Sequence, residues 1–336
     1  MIRPRSSAIA VLACLAAPVA PASADPYLAD FPYPYPVARF DFRSQDQDLW
    51  MAYMDVAPEK PNGRTAVLLH GKNFCGATWE STIGALSKAG YRVIVPDQVG
   101  FCRSAKPRAY QYGLHQLAAN THALLAKLGV EKPIVIGHSM GGMLSIRYAL
   151  MYPADTGALV LANPIGLEDW KAKGVPFATI DDLYAKEKKT TAETIRKYQQ
   201  TVYYHGTWRP EYDRWVDMLA SMYAGEDGDL VAWSQALTSD MVLAQPVIHE
   251  IDQLAVPTLL LIGMKDVTAI GRDRAAPEKA KALGNYAALA PEVAKRIKDA
   301  TLIPFADMGH APQVEDPSRF NDALIPALDA LRQARP

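Results

Sequence analysis

The residues whose types and spacing suit them to chemistry are a serine, an aspartate and a histidine, met in that order. Ser139 lies in the run VIGHSMGGML (135–144), with Gly137 two residues before it and Gly141 two after. Glycines at those offsets permit a sharp strand-to-helix turn that lifts a hydroxyl to the carboxyl edge of a sheet. The helix beginning there offers its positive end to developing negative charge. A serine hydroxyl is a poor nucleophile until a base takes its proton. His310, in PFADMGHAPQVEDP just after the last strand-like run, is the candidate base. Asp266, following LLLIGMK, is the candidate carboxylate that fixes the imidazole tautomer. The order Ser, Asp, His goes with this kind of serine turn.

An acyl-transfer centre also needs donors for the oxyanion. The Met140 amide follows the serine directly, and HGKNFC (70–75) leaves a strand as a glycine-eased loop, so the Lys72 amide is the expected partner donor, with Asn73 as alternative donor or pocket contact. His70 is expected to orient that loop, and His138 to be buried and satisfied, pointing away from a pocket that Ser139 points into. His115, His122, His205 and His249 suit packing or surface roles. Asn163-Pro164 ends an earlier strand without offering an acid, Asp307 shapes the His310 loop, and Glu168 and Asp169 are surface groups or polar substrate contacts.

Elements that must position these groups can be read from patterning. Residues 36–44 and 49–57 open as a strand pair, and short valine- and isoleucine-rich runs follow at 64–70, 91–97, 132–137, 157–164, 256–263 and 301–305. Helical stretches at 78–89, 114–128 and 142–152 alternate with them, which argues for a parallel sheet covered on both faces. The alternation stops at 166–248, where Trp, Tyr, Met and Lys fill helical patches and no comparable strand intervenes. So long a segment predicts a helical lid above the sheet. A few of its aromatics, drawn from Trp170, Tyr203, Tyr204 and Trp208, are expected to face a cavity beneath. Phe74, Trp170, Tyr204 and Trp208 join Asn73 as the substrate-contact candidates. TAIGRD (268–273) is expected near the rim of the site, and 317–332 as a closing helix.

The chain has 336 residues and a net charge of −1. Arg3 and Arg5, an apolar run at 8–20 and Ala22-Ser23-Ala24 read as a cleaved signal peptide over 1–24, with an uncleaved anchor as the alternative. Export to the periplasm or beyond follows, with no stable membrane insertion after cleavage. Residues 25–35, rich in proline and tyrosine, read as an extended surface arm. No basic block marks a nucleic-acid partner. Cys75 and Cys102 follow predicted strands on one sheet edge, so in an oxidising compartment they form a bridge or stay as two buried thiols. Their spacing has no metal-site pattern.

HGKNF (70–74), PDQVGFCRS (96–104), GHSMGG (137–142), Asp266 in GMKD and His310 in MGHAPQVEDP together resemble the α/β-hydrolase family, in its lidded serine-nucleophile branch. The resemblance spans nearly all of the chain after the leader. It implies a mostly parallel eight-stranded sheet flanked by helices, with a core of 36–165 and 249–336, a cap at 166–248, and Ser139, Asp266 and His310 as a triad. Cys102 stands where relatives usually place glycine. Epoxide hydrolases and haloalkane dehalogenases use aspartate at the position of Ser139, so the resemblance disfavours those reactions. The mostly apolar lid predicts a small-molecule substrate, a small to medium ester with a hydrophobic acyl or alcohol part, cleaved through an acyl-enzyme; no metal or organic cofactor is needed, since each proton has a donor and each charge a partner. Carbon–carbon cleavage of a diketone-like substrate is the second reading, although enzymes of that kind often have asparagine where His138 stands. Amide cleavage is the third, and an inactive binding protein the non-enzymatic alternative.

Overall fold

The computed structural model describes residues 25–333. The expected leader, 1–24, lies outside the described residues. Eight strands run β1 (Val37–Ser44), β2 (Gln47–Val56), β3 (Thr65–Leu69), β4 (Arg92–Pro96), β5 (Ile134–His138), β6 (Ala158–Ala162), β7 (Thr258–Gly263) and β8 (Ala300–Phe305). They form one sheet in the order β1-β2-β4-β3-β5-β6-β7-β8. β1 pairs antiparallel with β2 and β2 with β4, while every later pairing is parallel.

The apolar runs have a two-sided explanation. Side chains alternate across a strand, and here both faces are covered. Val67, Leu69, Val135, Leu159 and Leu161 belong to one core cluster, whereas Ala66, Leu68, Ile134, Ile136, Ala158 and Val160 belong to the other. Each fully buried aliphatic side chain contributes about 1.5–3 kcal/mol. Among the helices that cover the faces are α1 (Glu80–Lys88), α2 (Leu114–Lys127) and α3 (Met140–Met151). Residues Met140 to Ala149 of α3 are all buried, as befits a helix apolar all round. Its one buried cation, Arg147, is paired with Glu250 at 2.9 Å.

After β6 the chain leaves the sheet for α4 (Ile180–Glu187), α5 (Ala192–Tyr198), α6 (Asp213–Tyr223) and α7 (Gly228–Ala244) before returning to β7. Thr179 and Thr191 start α4 and α5 with reciprocal capping hydrogen bonds. α8 (Pro277–Ala282) and α9 (Tyr286–Arg296) lie between β7 and β8, and α10 (Pro312–Glu315) and α11 (Pro317–Gln333) close the chain. Among the described residues no helix is long and apolar enough to cross a membrane.

Residues 25–35 are more than a surface strap. Leu28 and Phe31 are buried in the main core cluster, and Arg103 donates to the carbonyls of Leu28, Ala29 and Phe31. An extended arm was expected from the prolines, but Leu28 turns at φ 54° and drives its side chain inward. Cys75 and Cys102 are joined in a disulfide with 5.8 Å between Cα atoms, which settles the two readings of this pair.

Candidate active site

The chain passes from β3 to β4 on one side of β3 and then returns to place β5 on the other. Open parallel sheets form a crevice at the carboxyl ends of strands flanking such a reversal. β3 leads into the 70–75 loop there and β5 into Ser139. The two approach closely: a Cβ built on Gly71 would lie 3.0 Å from Ser139 Cβ and 2.9 Å from His138 Nδ1.

Ser139 occupies φ 57°, ψ −119°, outside the regions a side-chain-bearing residue prefers. Its neighbours make the turn feasible. A Cβ on Gly137 would run into Gly141 O and Ser145 Oγ, and one on Gly141 into Leu69 O. The glycines therefore let α3 start directly against β3 and β5. As the first residue of α3, Met140 keeps its N–H outside the helical ladder. In the facing loop Phe74 N–H bonds back to Gly71 O, while the Lys72 N–H takes no partner among the described residues.

Ser139 Oγ lies 2.9 Å from His310 Nε2, and His310 Nδ1 lies 2.7 Å from Asp266 Oδ2. The consistent assignment has Nδ1–H donating to the carboxylate, leaving the Nε2 lone pair for the serine proton. His310 and Asp266 are almost wholly buried. Asp266 also accepts from Thr268 N–H at 2.7 Å and from Asn163 Nδ2 at 2.9 Å. Asn163 is itself clamped between Gly263 N–H, which donates to its Oδ1, and Gly263 O. Sequence reasoning saw only a missing acid at Asn163; the amide instead holds the acid of the neighbouring strand end.

The His310 loop is fixed from three directions. Its N–H donates to Tyr203 O at 2.8 Å, and its carbonyl accepts from His138 Nε2 at 2.8 Å. Glu315 accepts from Gly309 N–H and pairs with His205. His138 is buried as expected yet only half satisfied, since its Nδ1 has no hydrogen-bond partner. Burial, and then the neighbouring His310, hold its pKa well below the usual histidine value. His70 accepts from Gln98 N–H and donates to Gly71 O, orienting the loop; burial lowers its pKa too.

Substrate-contact candidates separate into two groups. Asn73 lines a cavity of about 420 Å³ under α4–α7 and donates to Tyr203 OH at 2.9 Å. Phe74 is buried against Tyr203 and His138. Trp170, Tyr204 and Trp208 do not line that cavity. Trp170 donates to the buried Glu168, Tyr204 stacks on Tyr212 at 3.9 Å, and Trp208 donates to Asp213. Packing within the insert claims all three. Tyr203 is the aromatic that reaches the site, its ring 4.6 Å from that of His310. Glu168 is neither a surface group nor a cavity group; it accepts from Trp170, Lys173 and Gly284. Asp307 pairs with Arg319. Residues 269–271 of the TAIGRD run, with Asp273, do line the cavity.

Also at the cavity, Lys72 Nζ and Glu187 form an ion pair at 2.9 Å, and Glu187 accepts from Tyr223 as well. Burial alone would raise the Glu187 pKa, but the Lys72 ammonium and these hydrogen bonds outweigh it and lower the value. The run KEKK gave no hint of this, because such a run ordinarily marks a solvated helix face.

The sheet and the site define the class: the chain belongs to the α/β-hydrolase fold family, which matches residues 66–317. A probable hydrolytic enzyme from Pseudomonas aeruginosa, known from its crystal structure, is 59% identical, with a TM-score of 0.90 over 92% of this chain and 99% of that one. The AB hydrolase superfamily protein YisY of Bacillus subtilis is 27% identical across 78% of this chain and 91% of its own length. A 2-hydroxy-6-oxononadienedioate/2-hydroxy-6-oxononatrienedioate hydrolase of Comamonas testosteroni is 33% identical, but over only 40% of this chain and 48% of its own length. The protein is a hydrolase of this family.

Proposed function

We propose that the protein is a serine hydrolase that cleaves small to medium, partly hydrophobic carboxylic esters. The observation that carries this reading is the continuous Ser139–His310–Asp266 hydrogen-bonded chain at the strand edge. His310 takes the Ser139 proton as the oxygen attacks the ester carbonyl. The Met140 and Lys72 amides hold the oxyanion, each such donor contributing on the order of 3 kcal/mol. Asp266 stabilises the imidazolium without taking its proton. His310 then protonates the departing alcohol, and on the second half-reaction activates water to release the acid. α4–α7 act as a lid. An exported, oxidising location fits the Cys75–Cys102 bridge.

A second reading, carbon–carbon hydrolysis of a diketone-like substrate, is favoured by the local similarity to the Comamonas enzyme. Esters rank first because they demand least of the leaving-group machinery. The test is a fluorophosphonate serine probe combined with a panel of short- and medium-chain esters, amides and vinylogous diketones. The parent is expected to label and to turn over esters, whereas Ser139→Ala does neither, losing about 10⁶ in kcat. Turnover confined to diketones would replace the ester reading, and unlabelled Ser139 would remove both.

A further inference from the structure

The 420 Å³ cavity beside the site has an uneven charge balance. Its walls are apolar where Leu183, Ile195, Leu219 and Ile270 meet. Four cations (Lys72, Lys186, Lys189 and Arg274) and two carboxylates (Glu187 and Asp273) also line it. Both carboxylates are already engaged: Glu187 with Lys72 at 2.9 Å, and Asp273 with Lys186 at 2.7 Å. Lys189 and Arg274 form no ion pair among the described residues. Arg274 reaches only Pro176 O, at 3.4 Å, and its Nη2 is buried without a hydrogen-bond partner. A guanidinium nitrogen without a protein acceptor is a donor that an incoming oxygen could engage.

The cavity and the reacting centre share the 70–75 loop. Lys72 and Asn73 line the cavity, while Gly71 abuts Ser139. A ligand with an apolar body and an anionic end, entering with its body against Leu183 and Ile195, meets Lys189 and Arg274 among the lining residues. Resting on the serine-hydrolase reading above, we propose that this cavity is a subsite for an anionic group, a carboxylate or a phosphate, on the non-reacting end of the substrate. Planar guanidinium at Arg274 suits either oxyanion, and Lys189 adds a point charge at the rim.

Two measurements test it. Calorimetric titration of the Ser139→Ala protein with hexanoate, hexyl phosphate and hexanol reads binding without turnover. One anion is expected to bind roughly tenfold tighter than the alcohol, and the tighter of the two identifies the headgroup. Arg274→Gln and Lys189→Gln, the latter at an exposed position, should each erase most of that preference. In parallel, the intact protein hydrolyses activated esters of matched length ending in methyl, carboxylate or phosphate, and the ratio of anionic to neutral kcat/KM should fall roughly tenfold in Arg274→Gln. Equal binding of all three ligands, or a preference untouched by both substitutions, overturns the subsite. Anion preference without turnover of any ester would keep the subsite and remove the reaction instead.

Discussion

Two turns bring a residue to His310, and they are built on different principles. The turn that carries Ser139 is fixed by backbone: a positive φ, glycines whose missing Cβ atoms make room for neighbouring carbonyls, and a helix starting immediately afterward. The turn that carries Tyr203 is the π-helical stretch Gln199–Tyr203 in the insert, held largely by side chains beside one backbone bond from His310 N–H to Tyr203 O. Tyr203 is packed among Phe74, Tyr198 and Tyr204 and bonded to Asn73. Backbone-defined positions tolerate almost no substitution at the turn itself. Packing-defined positions tolerate more, because neighbouring side chains share the restraint.

The sharpest way to break this contrast is Gly137→Ala. Its new methyl meets Gly141 O and Ser145 Oγ, so the fold should lose about 3 kcal/mol or more, measured by urea unfolding; a loss below 1 kcal/mol would mean the turn yields easily. Asn163→Ala removes a donor from Asp266 without touching Ser139 or His310. We expect kcat/KM to fall by about tenfold or more, with labelling by a serine probe slowed in proportion. Unchanged rates would show that Thr268 N–H alone holds the carboxylate.

One tether of the insert is ionic, the Lys72–Glu187 pair, which gives a pH test. The Glu187 pKa is lowered in the fold, so its contribution is present above the unfolded carboxylate value of about 4.3 and is lost as pH falls through the folded value. Glu187→Gln should therefore flatten the acid limb of the stability–pH curve. An identical limb would assign acid unfolding to other carboxylates. The smallest effect is expected from Tyr203→Phe, which keeps the carbonyl that receives His310 N–H and loses only the hydroxyl bonded to Asn73. Its cost should be about 1 kcal/mol in stability, with kcat/KM within a fewfold. A hundredfold loss of rate would make the Tyr203 hydroxyl part of the chemistry.

The same contrast explains what could be read from the sequence. Ser139, Asp266 and His310 each follow a strand by one to five residues, so strand runs and turn formers were enough to place them on one edge. The sheet was legible for the same reason, since period and composition carry it. Tyr203 and Tyr204 are adjacent, chemically identical, and point one to His310 and the other to Tyr212. Which of the two faces His310 depends on the phase of a π-helical turn, and no local pattern announces it. Asn163 offers no acid, and nothing in its sequence context marks an amide that holds the acid of another strand. Glu187 was hidden by its lysine neighbours.

Arg103 grips carbonyls at Leu28, Ala29 and Phe31, separated from it by up to 75 positions. A chain synthesised amino end first must therefore leave residues 25–35 undocked until the Cys102 loop has been delivered. Docking of residues 25–35 is thus a long-range event, and a chain stalled before residue 103 would leave Leu28 and Phe31 without the loop that holds their backbone.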